Sequence, residues 1–512
     1  MPRRRGDGDT LTRRRRRPAK RQRQRPGKSR PRGRAKLASP VHARRSVGSK
    51  SRPLRYHFSG IAGAGMNPLA QLMRAWGHTV QGSDRSFDLG KNQELAAHLR
   101  DLGITVLPHD GSAIQRGIDR FVYSAAVEAA TPEMQAAKDL DITRLARPAL
   151  LAEVVNVGRP SVAIAGTSGK STITGMVAWL ARESELDATA LGGAALVGEG
   201  VTGCLLAGAL GGPVIAEACE SDGTLVGYHP TLGLVHNISR DHAELDELRD
   251  QFGLFAKNCG RLLVNAACPE AAALGRIAGA RTYGASASAE AKLEVVGTGP
   301  RRGFGVLHLP TGDLMLDVPQ PGLHNLENAA AAALVAIELG IEPSRVEGLL
   351  PRFPGVARRF EVIGTTASGI RIVDDYAHNG EKIRAAITTA QAGASRVLAV
   401  FQPHGFGPAR FLRPEMKKLL PRILRAQDRF CYAEIFYAGG TVARDLSSRD
   451  LAHDVASRLE CSYAADHAAV LRWILGEARR GDTVLLMGAR DPDLPALART
   501  AFEALQADHA LV

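Results

Sequence analysis

A glycine-rich run, Gly166-Thr167-Ser168-Gly169-Lys170-Ser171-Thr172, constrains this chain more than any other stretch. It follows an apolar segment, Ser161 to Ala165, that reads as a strand, and precedes one, Ile173 to Leu180, that reads as a helix. Strand, glycine loop, Lys-Ser and helix, in that order, build a phosphate cradle. Backbone N–H groups and the positive end of the helix face the anion, the lysine adds charge, and the hydroxyl reaches Mg²⁺. The spacing is tighter than G-x-x-x-x-G-K-[ST], because Ile164 stands five residues before Gly169. The shorter G-x-x-G-K-S loop narrows the field to nucleotide-using enzymes with a compact turn.

At 512 residues the chain exceeds one hydrophobic core, so two to four domains are expected. Its apolar content of 45% and charged content of 23% are those of a soluble globular protein. No apolar stretch approaches the roughly 18 residues of a membrane span, and no apolar core of a secretory leader follows the charged N-terminus. Cys204, Cys219, Cys259, Cys268, Cys431 and Cys461 form no C-x-x-C pair. They read as reduced thiols of a cytoplasmic protein, not as a disulfide frame or a zinc site.

The formal charge of +14 divides unevenly. Residues 1–52 hold 21 Lys and Arg against Asp7 and Asp9, so this arm carries +19 and the remainder −5. The arm has too little apolar surface to fold and reads as a disordered tail. Three readings of it stand side by side: an upstream extension of the reading frame that is not made, an arm that binds nucleic acid or anionic lipid, and an organelle transit segment.

Folded sequence begins near Arg55. A strand at Tyr56-His57-Phe58-Ser59, the glycines of Gly60-Ile61-Ala62-Gly63-Ala64-Gly65, a helix from Met66 to Trp76 and a strand from Thr79 to Gly82 make a βαβ opening. The order G-x-x-G-x-G is not that of a dinucleotide fingerprint. Even so, glycines before a helix with Asp84 about 20 residues on suit a diphosphate and a sugar hydroxyl. Breaks at Gly158-Arg159-Pro160 and Phe353-Pro354-Gly355 mark domain boundaries. Between them lie strands at Val214–Ala216 and Leu232–Val235 and an alanine-rich helix, His324 to Leu339. Beyond them lie strands near Ile370–Val373, Arg396–Phe401 and Thr483–Met487, spaced by helices as in a doubly wound parallel sheet. Polar clusters follow four of these strands: Glu217 to Asp222, His236 to His242, Asp374 to Asn379 and Gln402 to His404. Ligands of open α/β sheets collect at such carboxyl ends.

These motifs, with Gly82-Ser83-Asp84, Gly322-Leu323-His324-Asn325-Leu326-Glu327-Asn328-Ala329, Arg358-Arg359-Phe360 and Met487-Gly488-Ala489, stand in the order found in the Mur ligases. From residue 56 to about 500 the chain resembles that family, the ATP-dependent amide-forming enzymes of peptidoglycan assembly. It is most similar to the alanine-adding branch, with features of the murein-tripeptide branch. The resemblance implies an α/β chain with a Rossmann-like N-terminal domain over 55–158, a central P-loop-type ATPase domain over 159–353 and a Rossmann-like C-terminal ligase domain over 354–512, behind the tail at 1–54. It implies an amide bond made from the carboxylate of UDP-N-acetylmuramate and L-alanine through an acyl phosphate. Murein-tripeptide ligation or another nucleotide-sugar acid is the alternative.

The resemblance also implies roles. Gly63, Ala64, Gly65, Met66 and Asp84 would hold the UDP-sugar. Gly166, Thr167, Ser168, Gly169, Lys170, Ser171 and Thr172 would hold ATP phosphates, and Ser171, Glu220 and His242 would hold Mg²⁺. His324, Asn325 and Asn328 would contact adenine, while Arg359 and Asp375 close onto the nucleotide. Lys170, His242, Arg359 and His378 are the catalytic candidates, with Arg410 beside the reacting groups. The chemistry agrees: a carboxylate is a poor electrophile until phosphorylated, and phosphoryl transfer needs positive groups around spreading charge. The chain departs from the family pattern at Ser168 and Ser171, which replace His and Thr. It departs again after His404, where Gly405, Gly407 and Pro408 leave Arg410 alone. It departs also at Arg490, which replaces the glycine of Gly-Ala-Gly. Lys257, the lysine nearest the place of a carbamylated one, is given no role. A nucleic-acid-associated NTPase, suggested by the arm, and a catalytically silent binding paralogue are the rival classes. The acidic body stands against the first and the intact Lys170, Glu220, His242 and Asp375 against the second.

Overall fold

The computed structural model describes residues 52–124, 127–199, 204–220, 225–240, 244–277, 279–437 and 443–508. The basic arm up to residue 51 lies outside them. The first domain comprises β1 (Arg55–Ser59), α1 (Met66–Ala75), β2 (Thr79–Ser83), α2 (Arg85–Asp88), α3 (Gln93–Asp101), β3 (Thr105–Leu107), β4 (Arg120–Tyr123), α4 (Pro132–Asp139), β5 (Thr143–Ala146) and α5 (Arg147–Val157). Its strands run parallel in the order β3-β2-β1-β4-β5. Met66, Leu69, Ala70 and Met73 recur at helical spacing and bury one face of α1 against the sheet. The strand order reverses beside β1, so the glycine turn after β1 opens on a crevice at the carboxyl edge. Gly82 on β2 lets that turn lie close: a Cβ there would stand 2.6 Å from Ile61 Cδ1 and 2.7 Å from the Phe58 carbonyl oxygen.

The second domain runs β6 (Ser161–Ala165), α6 (Lys170–Glu183), β7 (Thr189–Leu191), β8 (Cys204–Leu206), β9 (Val214–Glu217), β10 (Leu232–Val235), α7 (Leu245–Asn258), β11 (Arg261–Asn265), α8 (Pro269–Leu274), β12 (Ala280–Gly284), β13 (Ala291–Thr298), β14 (Gly303–Leu309), β15 (Gly312–Val318), α9 (Leu323–Glu338) and α10 (Pro343–Leu349). These strands form one sheet, β15-β14-β13-β12-β11-β10-β6-β9-β7-β8. β6 lies inside it, parallel to β9 and β10, and is buried at every residue, as expected of a strand covered on both faces. The sequence reading marks no strand between Val235 and Gln320, yet β11 and β12 extend the parallel sheet there and β13, β14 and β15 form an antiparallel meander. Leu293, Leu307, Leu314 and Leu316 line its inner face. α9 packs on α6 through a run, Ala329 to Ala333, that is wholly buried. Small side chains let the two backbones approach, and this holds the phosphate-loop helix in place.

The third domain comprises β16 (Glu361–Thr365), β17 (Arg371–Asp375), α11 (Gly380–Gln391), β18 (Val397–Gln402), α12 (Phe406–Ile423), β19 (Arg429–Ala433), α13 (Ser448–Val455), β20 (Cys461–Ala464), α14 (His467–Glu477), β21 (Thr483–Gly488) and α15 (Leu494–Asp508). Its sheet, β16-β17-β21-β18-β19-β20, is parallel except at β16. α11, α12 and α13 cover one face, and α14 and α15 the other. The molecule is thus α/β, with three sheet-bearing domains and two doubly wound parallel sheets flanking the central one. No helix among the described residues is long and apolar enough to cross a membrane.

Overpacking the seam between α6 and α9 tests this account. Ala331→Leu is expected to destabilise the protein by about 1–3 kcal/mol, read as a lowered urea midpoint in chemical denaturation.

Candidate active site

The centre of the site is the turn between β6 and α6. Gly169 caps α6 with φ +83°, a left-handed conformation that favours glycine. A Cβ at Gly169 would also stand 2.5 Å from Asn328 Oδ1 and 2.9 Å from His236 Cδ2. The loop is held from β10: Ser168 N donates to Asn237 Oδ1 (2.8 Å), Thr167 N to the Asn237 carbonyl (3.1 Å), and Ser239 N to Thr167 Oγ1 (3.1 Å). The helix begins at Lys170, three residues before the position read from periodicity, because the glycine turn feeds it directly.

Lys170 is buried, and its Nζ donates to the Gly166 carbonyl and to Glu220 Oε2 at 2.7 Å. Burial pulls its pKa down, but Glu220, Cys219 and Glu217 outweigh burial and raise it, so the ammonium stays charged. Ser171 Oγ donates to Glu217 Oε1 (3.1 Å) and accepts from Arg359 Nη2 (2.9 Å). Glu217 also accepts from Gly193 N at 2.8 Å. The sequence motifs give Glu217 no role of its own, and the structure brings it to the loop. Ser171, Glu217 and Glu220 present oxygen donors, as a hard cation requires. They make only part of a coordination sphere, and no cluster of three or more His, Cys, Asp or Glu among the described residues could hold an ion alone. His242 lies outside the described residues.

A cleft of about 350 Å³ opens beside the loop. The central domain gives it Ser168, Gly169, Thr172, His236, His324, Asn325 and Asn328, and the C-terminal domain Arg359, Phe360, Asp375, Glu381 and Lys382. Asn325 Nδ2 donates to the Pro321 carbonyl (2.8 Å), and Asn328 Nδ2 to Asn325 Oδ1 (3.3 Å). Asn328 Oδ1 is buried with no hydrogen-bond partner among the described residues. An orphaned acceptor, a loop with no room for a Cβ and a buried lysine at a helix start fit a nucleoside triphosphate. His236, to which the motifs assign nothing, packs against Gly169, with Nδ1 2.7 Å from Tyr283 Oη. Burial pushes its pKa down to about 4, so it is neutral at pH 7.

Asp375 spends both oxygens on backbone, accepting from Phe360 N and Ala377 N at 2.7 Å each. It thereby fixes the turn that carries Arg359, whose guanidinium lies 4.9 Å from the Tyr376 ring centroid. His378 Nδ1 meets the Tyr376 carbonyl at 2.9 Å, and its ring stands edge-on to His404 at 5.4 Å. Arg410 is not among the cleft residues: on α12 it is committed to Asp445 and the Ala443 carbonyl. Lys257 is exposed on the last turn of α7.

In the first domain the turn after β1 folds on itself. Gly63 N donates to the Gly60 carbonyl, and Met66 N to that of Gly63. Gly65 caps α1 beside Arg147, and Ala64 is exposed between these glycines. Met66 is 1% exposed, so it serves the core and not the crevice. Asp84 accepts from Ala62 N (2.9 Å) and Ser86 N (2.8 Å), which ties the turn to α2. Below lies a carboxylate that sequence reasoning missed, the fully buried Glu133. It accepts from Ser59 Oγ (2.5 Å) and Ser83 Oγ and pairs with His109 (2.9 Å) and His57 (3.3 Å). Burial alone would raise its pKa; hydrogen bonds from His109, His57 and Ser59 outweigh burial and hold it well below the usual carboxylate range. The partners come from β1, β2 and the turn after β3, so local sequence carried no signal for the cluster.

A phosphate loop on a central sheet, facing a cleft closed by a second α/β domain, is the architecture of a nucleotide-using enzyme of three domains. Models of the Mur ligase catalytic, middle and glutamate ligase domains match residues 55–159, 164–336 and 358–490. UDP-N-acetylmuramate–L-alanine ligase of Caulobacter sp. (strain K31) is 35% identical over 88% of this chain and 96% of its own length. The same-named protein of Xanthomonas oryzae pv. oryzae (strain PXO99A) is 33% identical over 85% and 93%. The fold matches the crystal structure of UDP-N-acetylmuramate-alanine ligase from Thermotoga maritima with a TM-score of 0.72 at 23% identity, covering 89% of this chain and all of that one. It matches a murein peptide ligase from Psychrobacter arcticus 273-4 with a TM-score of 0.64 at 20% identity, covering 88% and 99%. The chain belongs to the Mur ligase family.

Two outcomes follow from this geometry. Gly169→Ala is expected to abolish saturable ATP binding in calorimetric titration, because the added methyl meets Asn328 and His236. Glu133→Ala is expected to cost about 3–5 kcal/mol at pH 7. The Glu133 pKa is depressed on folding, so this stability is present above its ordinary value of 4.5 and fades as pH falls. The His109 pKa is raised by Glu133, so the histidine's share is present below 6.5 and fades as pH rises through the folded value. Urea midpoints of wild type and variant should therefore converge in acid.

Proposed function

We propose that this protein joins the carboxylate of UDP-N-acetylmuramate to the amine of L-alanine or a related amino acid, at the expense of ATP, as a cytoplasmic step in peptidoglycan precursor synthesis. The observation that carries the proposal is the charged, buried Lys170 at the end of the glycine loop, beside a cleft with an orphaned Asn328 acceptor. The relatives named for this activity, similar over most of their length, support it.

In this reading Gly166 to Thr172 receive the triphosphate, and Lys170 leaves Glu220 to neutralise phosphate charge. Glu220 and Ser171, with Glu217 near and His242 as the sequence resemblance implies, would then hold Mg²⁺, which when bound supplies Lewis-acid charge to the phosphate oxygens. His324, Asn325 and Asn328 receive the base. Arg359, within reach of Ser171, adds positive charge where the terminal phosphoryl group leaves ADP for a carboxylate oxygen. Gly63 to Gly65, in a turn tied down by Asp84, face the nucleotide of the sugar substrate. The acyl phosphate is attacked by the acceptor amine, the C–N bond forms, the amine proton departs and inorganic phosphate leaves. His378 lies at the carboxyl edge of the third sheet, where the acceptor enters.

A second reading, ligation of a murein peptide, is favoured by one observation: the sequence after His242, Ala243-Glu244-Leu245-Asp246-Glu247-Leu248, lacks the Tyr-Glu-Gly-Asp character of the alanine-adding branch. ADP release with UDP-N-acetylmuramate and a panel of amino acids and the tripeptide separates the two. No stimulation by any acceptor would overturn both. Lys170→Ala is expected to lower turnover by about 10²–10³ or more while leaving the dissociation constant for the UDP-sugar within about twofold, since that ligand sits on another domain. Equal loss of both in titration would contradict this division.

A further inference from the structure

A histidine in the wall of the nucleotide cleft keeps one ring nitrogen uncommitted. His236 is the first residue past β10, its backbone N donates to the Ala165 carbonyl at 2.9 Å, and the residue is 3% exposed. It therefore sits at the carboxyl edge of the central sheet, beside the strand that delivers the glycine loop. Its ring presents Cδ2 and Nε2 to Gly169: a Cβ added there would stand 2.9 Å from the first and 3.3 Å from the second. The same point lies 2.5 Å from Asn328 Oδ1, the orphaned acceptor. His236, Gly169 and Asn328 all line the cleft of about 350 Å³. The other ring nitrogen, Nδ1, is turned to β12, where it meets Tyr283 Oη at 2.7 Å.

Where the ring's proton sits follows from that partner. Tyr283 reaches past β11 and is fully buried, and no described residue other than His236 bonds its hydroxyl. If Nδ1 carried the proton, it would donate to Oη, and the phenol proton would be buried without an acceptor, a costly arrangement. With the phenol as donor, Nδ1 accepts, both groups are satisfied, and the imidazole proton sits on Nε2. The acid–base balance agrees. Burial raises the Tyr283 pKa well above its ordinary value, Glu327 and Cys268 add to the rise, and the phenol keeps its proton. Burial, helped by His324, pushes the His236 pKa down to about 4, so the ring is neutral at pH 7. No described residue accepts from Nε2. A neutral N–H donor, fixed by a buried phenol, thus lies against a loop whose amides are arranged for an anion.

We propose that His236 Nε2–H donates to a phosphate oxygen of the bound nucleoside triphosphate, with Tyr283 as the positioning residue that keeps the proton on that nitrogen. This rests on the ligase reading above and adds a nucleotide contact that the glycine-loop motif does not carry. The division of labour follows from charge. Lys170 needs Glu220 beside it to stay buried and charged. A neutral imidazole needs no counter-charge, so its donor meets the anion without displacing a carboxylate.

Calorimetric titration of the full chain with ATP, ADP and adenosine tests this, using a variant that strands no polar group. His236→Phe combined with Tyr283→Phe replaces both partners by apolar rings of similar shape, so the core is preserved. The double variant is expected to bind ATP and ADP about tenfold or more weakly, while adenosine, which has no phosphate, binds within about twofold of wild type. His236→Gln, whose amide has an acceptor for Tyr283 and a donor for the phosphate, should recover most of the loss. Nitrogen NMR of the histidine-labelled wild type should show His236 at pH 7 as the neutral Nε2–H form, with Nε2 shifting on addition of ATP and not of adenosine. Unchanged ATP affinity in the double variant, an equal loss with adenosine, or a proton found on Nδ1 would each overturn the assignment while leaving the ligase reading intact. A wild-type protein that bound no ATP would remove the ligase reading and this assignment with it.

Discussion

A buried ammonium can stay charged only if something of opposite sign stands close, and in this protein Glu220 stands 2.7 Å from Lys170. Much of the architecture serves that pair. β6 is buried at every position and fixes where the loop starts. Asn237 and Ser239 hold the loop from the neighbouring strand, and the alanine face of α9 keeps α6 in register beneath it.

The fold was legible where the hydrophobic period was unambiguous. β6, β10 and β21 begin at the residues that their apolar runs marked. Helix starts were less so. α6 begins at Lys170 and not at Ile173, because a positive-φ glycine, which sequence periodicity does not register, ends the loop abruptly. The meander of β13 to β15 was missed because its half-buried strands interleave apolar residues with polar ones and glycines, as in Lys292-Leu293-Glu294 and Gly303-Phe304-Gly305, so that their apolar runs are too short to mark a strand by themselves.

The site was legible in the parts that a loop motif carries, Gly166 to Thr172, and in polar residues that close a strand. What could not be read was reciprocity. Asp84 and Asp375 have the look of ligand carboxylates, yet each is occupied by backbone amides that hold a turn. Glu133 looks like an ordinary acid in the first turn of a helix, yet it organises four side chains from three separate segments. Whether an acid serves a ligand or the chain depends on long-range neighbours that no local window contains.

The walls of the nucleotide cleft come from two domains, with Ser239 Oγ donating to Glu381 Oε2 at 2.6 Å across it. Any molecule that fills the cleft acts as a splint, since it gains its contacts only while both walls stay folded and apposed. Heat absorption by these two domains should then merge into one calorimetric peak, and an inhibitor built to span the walls would stiffen the enzyme without resembling either substrate's reactive end.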